Sequence, residues 1–334
     1  MGCVAMTTLI TGATGFVGSA LAHKLLARGE SVRVLVRPTA NRRNLEQLPV
    51  KIAAGDLTDP ASLAAAVKGC HTLFHVAADY RLWVPDRARM FQSNVEGTRQ
   101  LMLAAGEAGV RRIVYTSSVA TLLPRPGGHP ADEADAGSAA DMIGAYKQSK
   151  HAAEIVVREL IARQGLPAVI VHPSTPIGPR DIKPTPTGKM VVDAASGRMP
   201  AYVDTGLNVV HVDDVAEGHI LALERGSIGR NYILGSENMS LAAILATVAE
   251  LTNRRPPRIK LPHGLVIPIA GMAELWAHAT GREPFATREA VKLARKTMFF
   301  SSERAILELG YRPRPARDAI ADAVAWFREH RYVR

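Results

Sequence analysis

Between Thr8 and His172, short runs of consecutive apolar residues alternate with longer stretches in which apolar positions recur every three or four residues. The runs are TLIT, SVRVLV, KIAAGD, TLFHVAA, RIVYTSS and PAVIVHP. Being largely apolar rather than strictly alternating, they predict strands buried on both faces. The stretches between them predict helices, and the regular alternation predicts an α/β fold, a doubly wound parallel sheet with helices on both sides. After Pro173 the texture changes. The segment PSTPIGPRDIKPTPTGKM carries five prolines, too many for a regular helix, so a long irregular loop is expected, of the kind that covers an active site. Further helices are predicted near Asp213–Arg225, Ser240–Thr252, His263–Thr280, Thr287–Arg295 and Pro315–His330.

Three glycines, Gly12, Gly15 and Gly18, separate the first strand from the helix FVGSALAHKLLARG. In that setting Gly12 permits a tight turn, Gly15 lets the main chain approach a phosphate, and Gly18 lets helix and strand pack closely. The helix start, from Thr14 through Phe16 and Val17, then faces the anion with its free N–H groups. The fold is therefore expected to be of the Rossmann type. Residues 1–173 would bind a dinucleotide, elements near 207–235 would return to the same sheet, and 174–334 would mainly form a smaller C-terminal substrate-binding lobe. The second strand ends at Arg37, with Arg42 and Arg43 following, where an NAD-binding chain would carry a carboxylate for the ribose hydroxyls. A guanidinium there suits a 2'-phosphate, so NADP is expected over NAD; the plainer alternative is a solvated basic loop.

Of seven tyrosines, only Tyr146 has a lysine four residues on, Lys150. On a helix that spacing puts both side chains on one face. A phenol has a pKa near ~10, and bringing it to about 7 takes ~4 kcal/mol of preferential stabilisation of the phenolate. A neighbouring ammonium and a positive nicotinamide ring can supply it, letting Tyr146 exchange a proton with a substrate hydroxyl or carbonyl. A third group should hold the substrate oxygen. RIVYTSS ends at the carboxyl edge of the sheet with Ser117 and Ser118; Ser118 is the choice, with Ser117 or Thr121 as substitutes, although such pairs also serve as turn caps.

Taken together, Gly12-x-x-Gly15-x-x-Gly18, AGDLTDP around Asp56, FHVAA at Phe74–Ala78, NVEGT at Asn94, YTSS at Ser118, Tyr146-x-x-x-Lys150, HPSTPIGPRD at Pro173 and VHVDDVA at His211 resemble the extended short-chain dehydrogenases/reductases over nearly the whole chain. Within them, AADYRLW, HPSTP and GPRDIKPTPTG are most similar to the hopanoid-associated sugar epimerases, near dihydroflavonol 4-reductases and 3-beta-hydroxysteroid dehydrogenases. The resemblance implies that Asp56 and Leu57 flank the adenine and that Ala77 and Ala78 lie by the nicotinamide ribose. It further implies that Asn94 supports the Lys150 relay, that Pro173 and Ser174 lie beside the nicotinamide, and that the protein pairs as a homodimer through the Tyr146 helix. Two departures matter. Val119 and Ala120 stand where sugar-nucleotide dehydratases carry an Asp-Glu pair, which argues against dehydration, and the VYG of 4-epimerases is replaced by ATLLP.

The expected activity is thus an NADP-dependent sugar epimerase working through a transient keto intermediate, with a net ketone reductase or alcohol dehydrogenase as alternative and a non-catalytic NADP-sensing protein as a reading of another class. Substrates would be a sugar, a sugar-lipid or a hydrophobic ketone or alcohol. Tyr80 and Trp83 either wall that cleft or pack their own loop. Arg180, Lys183 and Lys189 either meet an anionic substrate or stay solvated, and Asp213 or Asp214 is expected to cap a helix rather than, with His211, hold a metal.

Composition narrows this further. A formal charge of +10 invites a nucleic-acid reading, yet the basic residues are scattered among acids, so no nucleic-acid partner is expected. Cys3 and Cys70 give no disulfide framework and no metal spacing, and MGCVAMTTLI has no signal-peptide pattern, which makes a cytoplasmic protein the expectation. The apolar stretch Leu261–Ala273 is too short to span a bilayer. With the positive charge, its Leu265–Met272 part would favour a peripheral contact with anionic membranes if the substrate were a lipid.

Overall fold

The computed structural model describes residues 6–81, 86–280, 291 and 294–333. Trp83 and most of the helix expected over Thr287–Arg295 lie outside the described residues. The first six strands are β1 (Thr7–Thr11), β2 (Ser31–Val36), β3 (Lys51–Ala54), β4 (Cys70–His75), β5 (Arg112–Thr116) and β6 (Ala168–Pro173). They are followed by β7 (Thr175–Ile177), β8 (Ala201–Val203), β9 (Gly206–His211), β10 (Asn231–Leu234), β11 (Glu237–Ser240) and β12 (Ile259–Leu261). The helices of the N-terminal half are α1 (Phe16–Ala27), α2 (Pro60–Val67), α3 (Arg87–Phe91), α4 (Gly97–Glu107) and α5 (Ala145–Gln164). Those of the C-terminal half are α6 (Pro186–Ala195), α7 (Val212–Arg225), α8 (Leu241–Leu251), α9 (His263–Thr280) and α10 (Ala316–Glu329).

Seven strands form one parallel sheet in the order β10-β6-β5-β4-β1-β2-β3. From β1 the chain winds outward through β2 and β3, then returns to start again at β4, so the crevice between the ends of β1 and β4 is the place where such sheets bind ligands. On one face Leu21 and Leu25 of α1 and Val215 and Ile220 of α7 pack against Val34 and Val114. On the other, Leu63 of α2, Leu101 of α4 and Val157 and Leu160 of α5 cover Leu73 and Ile113. These side chains are almost wholly buried, each contributing about 2 kcal/mol of hydrophobic stabilisation. A second core joins β7 and β9 to α6, α8 and α10 through Ile177, Val191, Ile244, Ile320 and Phe327.

The proline-rich segment is more regular than its composition predicts. It contributes β7, parallel to β9, and the start of α6. Pro186 occupies the first turn of α6, where its missing N–H is not needed, and Thr185 caps that turn by accepting from the Gly188 N–H at 3.1 Å. The cap of α7 also differs from expectation. His211, not Asp213 or Asp214, accepts the Asp213 N–H, because the two aspartates are engaged by Arg180 and Arg314. Among the described residues no helix is long and apolar enough to cross a membrane.

Two buried histidines tie the sheet to its helices as neutral rings. His75 lies between the hydroxyls of Thr11 (2.7 Å) and Thr98 (2.9 Å), and His219 between Thr116 (2.9 Å) and the Val215 carbonyl (2.7 Å). Burial, helped by Lys150, pushes His75 down to about 3, and burial takes His219 to about 4. Between these values and about 6.5 the unfolded chain binds both protons and the fold neither, so stability rises with pH across that window and is lost on acidification. In urea unfolding the two rings alone should make the protein about 4 kcal/mol less stable at pH 5 than at pH 7, and Asp181, raised by burial to about 6, should return about 1 kcal/mol of this; an unchanged free energy would mean that the rings are not buried as neutral imidazoles.

Candidate active site

The turn after β1 is built by steric necessity. Gly12 has φ +76°, and a Cβ there would lie 2.7 Å from the Ala77 nitrogen, while a Cβ on Gly18 would run into the Gly12 carbonyl oxygen. Helix α1 therefore starts hard against β1 and the exit of β4. Its N-cap is Gly15 in an extended conformation, and its first turn carries neither a capping side chain nor an acidic residue. The N–H groups at Phe16, Val17 and Gly18 thus open the helix as a cradle for an anion. Asn44 steadies the turn from behind, its amide reaching the carbonyls of Thr14 (3.3 Å) and Arg180 (3.1 Å).

Around this cradle the sheet delivers the other residues singled out in the sequence. Arg37 follows β2 and is exposed. Asp56 follows β3; partial burial raises its pKa, but hydrogen bonds from Thr58 and the charges of Arg37 and Arg89 outweigh this and hold the carboxylate low. Leu57 is buried, with its carbonyl against Gly97 at the start of α4. Ala77 and Ala78 follow β4, the Ala77 N–H donating to the Thr11 hydroxyl at 3.2 Å. At the end of β6, Ser174 donates its N–H to the Leu234 carbonyl, and its buried hydroxyl has no hydrogen-bond partner among the described residues. A glycine cradle, an uncapped helix start and this orphaned hydroxyl fit a dinucleotide laid across the carboxyl edge of the sheet.

The reacting groups come from β5 and α5. Ser118 follows β5, its Oγ accepting the Ala120 N–H at 3.1 Å, and its hydroxyl is near enough to the Tyr146 phenol to act on its titration. Ser117 and Thr121, the substitutes, both turn to Glu154 instead. Lys150 is buried one turn beyond Tyr146 and donates to the Thr116 carbonyl (2.6 Å) and to the Tyr115 hydroxyl (3.4 Å), its ammonium 4.9 Å from the Tyr115 ring centre. Burial lowers Lys150 to about 8, against the raising influence of Glu154. Burial raises the Tyr146 phenol, and the nearby Ser118 hydroxyl acts the other way. The lowered phenol expected from the sequence is therefore absent from the chain by itself. Desolvation of a half-buried phenol exceeds what Ser118 returns, so Tyr146 is held protonated at neutral pH.

Asn94 lies in a π-helical turn, Gln92–Glu96, between α3 and α4. It donates to the Asp79 carbonyl (2.9 Å) and the Ser149 hydroxyl (3.0 Å) and accepts the Asp79 N–H (2.7 Å), so it joins the loop after β4 to the residue preceding Lys150. Tyr80, next to that loop, is 42% exposed and near enough to Asp181 and Asp79 for their charges to act on its phenol. Of the loop cations, Arg180 is paired with Asp213 and Lys189 with Asp193, while Lys183 is exposed. Glu154 and Ser149 were not singled out from the sequence. Glu154 had a signal, since positions 146, 150 and 154 share one helical face.

Residues 8–235 match the model of the NAD dependent epimerase/dehydratase family. The chain is 45% identical over 331 residues to a Synechocystis sp. protein named "Putative dihydroflavonol 4-reductase", covering 97% of this chain and 95% of that one. It is 37% identical over 326 residues to sterol demethylase protein B of Methylococcus capsulatus, covering 97% and 99%. The crystal structure of gox2253 superposes with a TM-score of 0.89 at 58% identity, covering 98% of this chain and 99% of that one.

Proposed function

The chain belongs to the NAD dependent epimerase/dehydratase family and is an NAD(P)-dependent enzyme of oxidoreductase or epimerase type, and from that premise we propose that it uses NADPH to reduce a ketone on a bulky, largely hydrophobic substrate. The observation that carries this reading is the whole-length similarity to proteins named for dihydroflavonol reduction and sterol demethylation, found with a Tyr146 phenol that stays protonated at neutral pH, near Ser118 and one turn from a buried Lys150. Reduction of a carbonyl needs an acid at its oxygen, and the fold holds one ready.

Bound NADPH would supply the hydride. The glycine turn and the first turn of α1, at Gly12, Thr14, Gly15, Phe16, Val17 and Gly18, would hold the pyrophosphate, and Arg37 would take the 2'-phosphate. Asp56 and Leu57 would flank the adenine, with Ala77, Ala78, Pro173 and Ser174 around the nicotinamide half. The Ser118 hydroxyl and the Tyr146 phenol both donate to the substrate oxygen. As negative charge grows there, Tyr146 gives up its proton and Ser118 keeps its hydrogen bond. The Lys150 ammonium stabilises the phenolate left behind, and Asn94, through Ser149, fixes that stretch of α5. Support for the substrate class comes from the names of the two whole-length relatives and from the half-exposed Tyr80 ring beside the loop after β4.

The family's own description, epimerase/dehydratase, favours a second reading, epimerisation of a sugar by oxidation and return of the hydride to the other face; a role in making hopanoid lipids rests on the sequence resemblance alone. Both readings use Ser118, Tyr146 and Lys150 alike and differ in the fate of the coenzyme. The purified protein should be assayed with NADPH and a dihydroflavonol or a 3-ketosteroid, and separately with UDP-glucose. Stoichiometric NADPH consumption with a ketone, by protein that purifies free of coenzyme, is the expected result. Sugar interconversion with coenzyme retained through purification would establish the epimerase instead, and coenzyme binding without turnover of any of these would favour the non-catalytic sensor.

A further inference from the structure

We infer that Glu154 is a positioning residue that keeps Lys150 an ammonium and locks the Ser118 turn against Tyr146, an inference that rests on the reading of Tyr146 and Lys150 given above. Glu154 lies on α5 one turn beyond Lys150 and two beyond Tyr146, and it is buried. One carboxylate oxygen accepts from the Ser117 hydroxyl (2.5 Å) and lies 3.1 Å from the Thr121 hydroxyl. These two residues straddle Ser118, so a single carboxylate pins the turn on both sides of it. Thr121 and His172 close the arrangement, the Thr121 hydroxyl 2.9 Å and the His172 Nδ1 3.1 Å from the Ser118 carbonyl.

The other carboxylate oxygen accepts from Arg158 Nε (2.9 Å) and Nη2 (2.8 Å) at the protein surface. A buried carboxylate stays ionised only where cations and donors meet it. Facing Glu154 are Lys150 and Arg158 on α5, Tyr115, Ser117 and Thr121 on β5 and the turn after it, and His172 on β6, with its Nδ1 3.9 Å away and Asn231 of β10 behind the ring. Burial raises Glu154, but His172, Arg158 and Ser117 bring it down to about 2, so it is fully charged at any working pH. Around the Lys150 ammonium stand the Tyr115 hydroxyl and ring, the Thr116 carbonyl and neutral His75. None of these is an anion, and Glu154 is the charge that opposes the desolvation of the ammonium. Without it a larger share of Lys150 would be neutral at pH 7, and the phenolate formed at Tyr146 would lose its partner.

The test measures Lys150 directly in the coenzyme-free, full-length protein carrying lysine labelled with carbon-13 at Cε, the resonance being assigned by its loss in Lys150→Arg. The wild-type midpoint is expected near 8. In Glu154→Gln it should fall by about one pH unit, and in Arg158→Gln, which removes the surface cation and leaves the carboxylate, it should rise. The Glu154→Gln enzyme should lose about twofold in kcat at pH 7 and about fivefold at pH 8, following the ammonium fraction of Lys150, with the KM for NADPH unchanged, and Glu154→Asp should bring the midpoint back towards 8. Equal Lys150 midpoints in wild type and variants would overturn the inference. If Glu154→Gln does not fold, Glu154→Met, which fills the space without the charge, decides in its place: a fallen Lys150 midpoint supports the inference and an unchanged one overturns it. Fixed midpoints in a protein that reduces ketones and is disabled by Tyr146→Phe would sink this inference only; moving midpoints in a protein without turnover would sink the proposed function only.

Discussion

Tyr146→Phe should lower kcat for ketone reduction by about 10² to 10⁴-fold, the range general acid catalysis contributes, while coenzyme affinity and thermal stability stay close to wild type. The physical basis is the isolation of the phenol's role. Its ring remains as packing in phenylalanine, and the hydroxyl's one identified protein partner is Ser118, which keeps its own bond to the Ala120 N–H at 3.1 Å. What disappears is the phenolic proton, which an ordinary phenol keeps at neutral pH and burial here holds more firmly. Single-turnover oxidation of NADPH by ketone, together with coenzyme binding followed by fluorescence, separates loss of chemistry from loss of binding. A variant that turns over within a few-fold of wild type would remove Tyr146 from the mechanism.

Arg37→Asp should reverse the coenzyme preference, changing the ratio of kcat/KM for NADPH over NADH by about 100-fold or more. A guanidinium hydrogen-bonded to a phosphate contributes about 1.5–3 kcal/mol, and a carboxylate in its place repels the same phosphate while accepting from ribose hydroxyls. The structure leaves Arg37 exposed at the end of β2, close enough to Asp56 for their charges to interact, at the rim where the adenosine half would lie. Steady-state kinetics with both coenzymes on wild type and variant measures the ratio. An unchanged ratio would assign Arg37, with Arg42 and Arg43, to a solvated loop.

The glycine turn and the Tyr146–Lys150 spacing were legible because each is a local pattern with one steric or periodic meaning. Gly12 and Gly18 cannot be other residues beside Ala77 and the Gly12 carbonyl, and residues four apart on a helix share a face whatever packs on it. The choice among Ser117, Ser118 and Thr121 was not legible. All three lie within five residues, and only the approach of α5 to the end of β5 turns two of them to Glu154 and one to Tyr146. The His211 cap and the ordered start of α6 were hidden for a similar reason: Asp213 looks like a cap until Arg180, 33 residues earlier, takes its carboxylate.

The amino-acid sequence by itself determined the strand-helix alternation, the cradle after β1 and the identity of the residues able to move a proton, since these follow from periodicity, backbone sterics and side-chain chemistry within one or two turns. The tertiary structure decided which of those groups meet and in what ionic state. Burial raises the Tyr146 phenol and lowers Lys150, and whether a charge survives there depends on desolvation and on partners such as Glu154, His172 and Thr116 that only the packed sheet and helix bring together.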